Sequence, residues 1–195
     1  HRLFRRQRQM CIRDRVRNAL NPQLVDDLQL ALSDIHQEKR VRAVLLTGNG
    51  EHFCSGVDLK VLGEISEMPQ ADALQQWLTL WRHQVELFEQ MLRFPKPIIA
   101  AVDGAAVGSG LALALAADLI IPSTRASFSA SAVQRGLVGG ATAALLSFRM
   151  GGAIAARLVL SGEAIDAAEA YRLGMCVGPV DSDQIWVAGC DLARH

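Results

Sequence analysis

Apolar and polar positions along this chain fall into two periods, and the switches between them mark its elements. Asn21-Pro22 opens a helix whose apolar residues Leu24, Val25, Leu28, Leu32 and Ile35 recur every three or four positions. Residues 42–47 form a short apolar run of strand type, ended by Gly48-Asn49-Gly50. A loop follows over 51–60, and the pattern stays indistinct as far as Gln70. A long amphipathic helix is predicted over 71–92. Its apolar side carries Trp77, Leu80, Trp81, Val85, Phe88 and Met91, and the aromatics are expected in the core. Pro95 and Pro97 bar helix before Ile98, since each fixes φ and lacks an N–H. Residues 98–102 then read as a buried strand closed by Asp103-Gly104. From Gly108 to Ala117 nearly every residue is Gly, Ala or Leu, as in a helix packed on all sides. Strands are expected at 118–121, 126–129 and 177–180. Helices are expected at 141–150, 152–160 and 166–173, with another starting near Asp183. Strands alternate with helices, which defines an α/β class.

The turn at Gly108-Ser109-Gly110 draws the first chemical expectation. A helix start leaves backbone N–H groups without partners, and small residues let a ligand approach them. The stretch 98–121 is long and apolar enough to suggest a membrane span. Asp103, Asp118 and the break at 104–110 oppose that, and strand, turn, helix and strand account for it without lipid. Half of the 195 residues are hydrophobic, which suits one domain with one core.

Charge is balanced but unevenly spread. Residues 1–15 hold six Arg and one Asp, leaving 14 basic and 19 acidic side chains on the other 180. A mildly acidic body argues against a nucleic-acid surface. The first fifteen residues lack an apolar period and a signal-peptide pattern, and Gln9–Arg15 reads like translated sequencing-adapter sequence. They are expected to be a non-native basic segment, with the domain running over 16–195. Cys11, Cys54, Cys176 and Cys190 form no CxxC pair, and the five histidines show no metal-ligand spacing. A reduced cytoplasmic setting without metal is the expectation.

A series of motifs then falls in a recognisable order. Asn18-Ala19-Leu20-Asn21 precedes the first helix, and His52-Phe53-Cys54-Ser55-Gly56-Val57-Asp58-Leu59-Lys60 fills the loop. Pro95 to Gly104, Val107 to Gly110, Ala117-Asp118-Leu119, Ser127-Phe128 and 136–140 follow. Leu160 to Ala167 and Ala170 to Val177 complete the set. This series, over about residues 18–181, resembles the crotonase superfamily, the enoyl-CoA hydratase/isomerase group. The resemblance implies a spiral of β-β-α repeats like that shared by crotonases and Clp peptidases. It also implies a coenzyme A thioester as substrate with no separate cofactor, and a homotrimer or hexamer. Against the family pattern the chain lacks a first strand before residue 16 and C-terminal helices after 195, so it is expected to be a fragment.

The resemblance assigns an oxyanion hole to the backbone N–H groups of Val57 and Ser109, where the family has Ala and Gly. Because the main chain supplies the donors, neither change removes one. Cys54, Val57, Asp58, Leu59, Lys60 and Ser109 fall on substrate-contacting segments. The two glutamates that handle water and proton in family hydratases fall at Ala112 and Ala132, and both are missing. No acid occurs from 119 to 161, so no shift of alignment restores the second. General acid–base groups are worth about 10²–10⁴ in rate each, and ordinary hydration of an enoyl-CoA is expected to be badly impaired. His52, Ser131, Gln134 and Arg135, with Ser129, are the remaining polar candidates near the vacated positions, and His52 is expected to face solvent. Two rival readings stand. One is a non-catalytic acyl-CoA binder; the other is a Clp- or signal-peptide-peptidase-like serine hydrolase using Ser109. The second lacks a base, for no His occurs from 84 to 194 and no Lys after Lys96.

Overall fold

The computed structural model describes residues 16–194, so the expectation for the first fifteen lies outside the described residues. Helix α1 (Pro22–Gln37) starts where its sequence places it: the Asn21 side chain accepts from the Leu24 N–H at 2.9 Å, with Pro22 in the first turn. Strand β1 (Val44–Thr47) follows, then α2 (Leu59–Ser66) and α3 (Gln70–Leu92). Helix α2 occupies the stretch whose pattern is indistinct; Asp58 caps it, its carboxylate accepting from the Lys60 N–H at 3.0 Å.

Next come β2 (Ile98–Val102), β3 (Ala105–Val107), α4 (Ser109–Leu115), β4 (Leu119–Pro122) and β5 (Ser127–Ser129). A 3-10 helix spans Ser131–Arg135. Helices α5 (Gly140–Met150) and α6 (Gly152–Ser161), strand β6 (Ala164–Asp166), α7 (Ala167–Arg172) and α8 (Ile185–Leu192) complete the order. Strands β3 and β6 are absent from the sequence pattern. The strand expected over 177–180 is reduced to one bridge, Ser123 with Val180.

Two three-stranded sheets result. One is parallel, in the order β1-β2-β4; the other runs β3-β5-β6, with β3 and β5 parallel and β6 antiparallel. Each turn of the chain lays one strand in the first sheet, the next in the second, and then a helix. Thus β2-β3-α4 is followed by β4-β5 and α5, and the bridge of Cys54 to Ala106 gives β1 its companion before α3. This is the expected β-β-α spiral.

Strand β2 is buried on both faces, which explains its unbroken apolar run. Ile98, Ala100 and Val102 join the main core with α4, while Ile99 and Ala101 meet Ile121 and Ile185 in a smaller cluster. All of α4 after Ser109 is buried, as its Gly-Ala-Leu composition requires. Arg149 closes its far end, donating from Nε to the Leu115 carbonyl at 2.7 Å. Among the described residues no helix is long and apolar enough to cross a membrane.

Candidate functional site

The loop 54–58 is pinned from both sides. On one side Leu20 N donates to Gly56 O at 2.7 Å and Asp58 N to Leu20 O at 3.0 Å. These bonds use residues 56 and 58, so the Val57 N–H, on the alternate position, is turned away from Leu20. On the other side Cys54 N donates to Ala105 O at 3.1 Å and Val107 N to Cys54 O at 3.0 Å. The loop therefore rides on β3 and reaches the head of α4.

Two glycines make that approach possible. Gly56 has φ +89°, and a Cβ there would lie 2.6 Å from Val107 O and 3.4 Å from Ser109 N. A Cβ on Gly110 would collide with the Cys54 carbonyl. Ser109 is the first residue of α4, so its N–H has no intrahelical acceptor. The residue before it is fixed, with Gly108 N donating to Ser129 O at 2.8 Å and Thr142 Oγ1 to Gly108 O at 3.1 Å. Among the described residues neither the Val57 nor the Ser109 N–H has a hydrogen-bond partner.

Beside these donors Val57, Trp77, Leu80, Trp81 and Gln84 line a cavity of about 10 Å³, the space of one water. Trp77 and Trp81 are half-buried and face this cavity, where the apolar spacing of α3 places them in the core. The buried side of α3 is instead Leu80, Gln84, Leu87, Phe88 and Met91. Gln84 is 1 % exposed, and its Oε1 accepts from the Ser109 hydroxyl at 2.8 Å. A larger cavity of about 330 Å³ lies between α2 and α3, walled by Val61, Ile65, Met68 and His83 and sharing Leu80 with the first.

The other candidate residues scatter in role. Cys54 is 2 % exposed, and burial pushes its thiol up to about 12 against a weak pull from the Gly56 N–H, so its side chain is an inert packing group. Asp58 is buried at the start of α2. Leu59 is exposed, and Lys60 projects into solvent beside Glu64, 3.8 Å away. His52 is half-buried rather than solvent-facing, its Nδ1 accepting from the Ala105 N–H at 3.3 Å, which ties the loop to β3.

Ala112 is fully buried in the main core, and Ala132 is half-buried in the 3-10 helix. Ser131 is buried. Ser129 Oγ and Gln134 Nε2 both donate to the Gly162 carbonyl, at 3.3 and 2.9 Å, and so fasten this region to the end of α6. Arg135 is exposed. The structure thus gathers Val57, Ser109, Gln84 and the two tryptophans, and leaves Lys60 and Arg135 on the surface. Gln84 has one sequence signal: a polar residue four places from both Leu80 and Phe88 on a face that otherwise calls for apolar ones.

The β-β-α spiral defines the fold class of the chain. The enoyl-CoA hydratase/isomerase family model matches residues 8–194, and the chain belongs to that family. It is 34% identical over 179 residues to (E)-benzylidenesuccinyl-CoA hydratase of Thauera aromatica, covering 91% of this chain and 65% of the relative. It is 33% identical over 172 residues to 2,3-dehydroadipyl-CoA hydratase of Escherichia coli, covering 88% and 62%. The crystal structure of an enoyl-CoA hydratase from Bacillus anthracis superposes with a TM-score of 0.85 at 31% identity, over 93% of this chain and 69% of that one. The chain spans 56–67% of the length of the first curated relatives it matches.

Proposed function

We propose that the protein binds an acyl- or enoyl-CoA thioester with the carbonyl oxygen between the Val57 and Ser109 N–H groups, and stabilises the enolate that forms there. One observation carries this reading: the Gly56 backbone packs against Val107–Ser109, and Val57 lines an apolar cavity together with Gln84, the partner of the Ser109 hydroxyl. Donors fixed in place and sheltered from water are worth about 10²–10³ in rate each when negative charge develops on the oxygen they hold. The family membership and the CoA-ester names of the relatives support the substrate class.

The acid–base side of the reaction differs from a glutamate-driven hydration. None of the five residues lining the cavity at the donors titrates, and Ala112 and Ala132 stand where the resemblance expects glutamates. A proton leaving the α-carbon must then go to water, and hydration is slow. A malonyl-type ester forms the same enolate without a base: its C–C bond breaks, CO₂ leaves, and the electron pair moves onto the thioester oxygen. The serine-hydrolase reading gains no support, because the partner of the Ser109 hydroxyl is a carboxamide, which cannot take its proton.

Val138, Phe148 and Leu160 are 90%, 83% and 74% exposed, an apolar surface consistent with burial in a homotrimer or hexamer. The deciding experiment incubates the protein with saturated, enoyl-, 3-hydroxyacyl- and malonyl-type CoA esters and monitors products by mass spectrometry. Rapid hydration of crotonyl-CoA, unchanged in Ser131→Ala and His52→Ala, would show that the missing carboxylates do not matter and overturn this account.

A further inference from the structure

Gln84 makes only half of its hydrogen bonds. Its Oε1 accepts from the Ser109 hydroxyl at 2.8 Å, whereas its Nε2 is buried and has no hydrogen-bond partner among the described residues. The side chain is 1 % exposed and forms one wall of the cavity with Val57, Trp77, Leu80 and Trp81. Buried polar groups are nearly always partnered, and an unmade bond forfeits the solvation the group gave up on folding. An amide donor held in an apolar wall is therefore complementary to an acceptor that arrives with a ligand. The cavity of about 10 Å³ admits an atom the size of one oxygen.

We infer that Gln84 is a specificity-determining residue whose Nε2 donates to an oxygen on C3 of the acyl group, which makes short 3-oxoacyl-CoA esters the preferred ligand class. This rests on the proposed function at one point, the placing of the thioester oxygen at the Ser109 N–H. Ser109 links the two contacts. Its N–H meets the thioester oxygen and its hydroxyl donates to Gln84, so the amide lies one side chain from the C1 carbonyl. A saturated acyl group leaves Nε2 unpaired. Trp77 and Trp81 bound the space on the far side, which limits the length of acyl chain beyond C3.

The test compares dissociation constants, by titration calorimetry, for acetoacetyl-CoA, 3-hydroxybutyryl-CoA and butyryl-CoA on the wild type and on Gln84→Met. The wild type is expected to bind acetoacetyl-CoA about tenfold more tightly than butyryl-CoA, the scale of one neutral hydrogen bond in a dry site. In Gln84→Met that ratio should fall towards one. Equal wild-type affinities for these two esters overturn the inference and leave the proposed function standing, and this arm needs no folded variant. A ratio that persists in Gln84→Met overturns it as well. Tighter binding of 3-hydroxybutyryl-CoA than of acetoacetyl-CoA makes the buried group an acceptor and overturns the donor assignment. If none of the three esters binds, the inference and the proposed function fall together.

Discussion

The two halves of the proposed site are built from different parts of the chain and answer differently to substitution. The half that would hold the thioester oxygen is main chain: the N–H groups of Val57 and Ser109, set by Gly56 and Gly110. The half that would move protons is side chain, and its two positions hold Ala112 and Ala132. Any residue except proline supplies a backbone donor, so Val and Ser can replace smaller residues without deleting it. A carboxylate vanishes with one substitution. Under the proposed reading, the main-chain half withstands substitutions that would remove the side-chain half.

The sharpest way to break this comparison is to return the carboxylates. Ala132 is half-buried at the end of the spiral's third turn, so Ala132→Glu should fold and raise crotonyl-CoA hydration about 10²-fold, the scale of one general acid–base group. Ala112 has no exposed surface, and Ala112→Glu places a carboxylate among Leu111, Leu115 and their neighbours. It should cost roughly 3–5 kcal/mol, read by urea denaturation. Hydration that does not rise in Ala132→Glu would mean the resemblance misplaces the second glutamate.

The donor half is tested at Ser109. Proline is tolerated in the first turn of a helix, where its missing N–H has no intrahelical partner. Ser109→Pro should therefore fold and lose about 10²-fold or more in kcat/KM on whichever CoA ester is turned over. Ser109→Ala, which keeps the N–H, should lose much less. Equal losses would assign the effect to the hydroxyl and its bond to Gln84. A smaller effect is expected at the seam itself. Gly56→Ala adds a Cβ 2.6 Å from Val107 O at φ +89°, and should destabilise by about 2–3 kcal/mol in urea denaturation while weakening CoA-ester binding.

The legibility of this arrangement in the sequence obeys the same division between local and non-local causes. Helix α1 is legible because Asn21, Pro22 and the leucine spacing are all local. Strand β2 is legible because it is apolar on both faces. Strand β3 is three small residues, Ala105–Val107, held by pairing with Ser127–Ser129, and nothing within it signals a strand. Strand β6 depends on the same β5 partner. Gly63 interrupts the apolar period of α2, whose Asp58 cap is plain only once the Leu20 bridge fixes the loop. The proposed donors are reachable from motif order, since the backbone keeps to the motif whatever the side chains are. Gln84 is not, because its role appears only when Ser109, 25 positions away, lies 2.8 Å from it.

The smallest expected effect separates stability from the site altogether. Asp103 follows β2 and lines neither cavity, and Arg125 donates to it from Nε and Nη2 at 2.8 and 2.7 Å and Ser182 at 3.0 Å. Burial pushes the Asp103 carboxyl up, but these hydrogen bonds outweigh it and hold the group below the usual carboxylate range. A folded-state pKa that is depressed adds stability above the unfolded value, about 3.9 for Asp, and loses it as pH falls through the folded one. Arg125 is half-exposed, so the pair contributes at most about 1 kcal/mol. Asp103→Asn should therefore lower urea stability by that amount near pH 7, the gap narrowing below about pH 4 and closing at lower pH, with butyryl-CoA affinity at pH 7 unchanged. If affinity falls with stability, the ion pair and the donors share one cooperative unit.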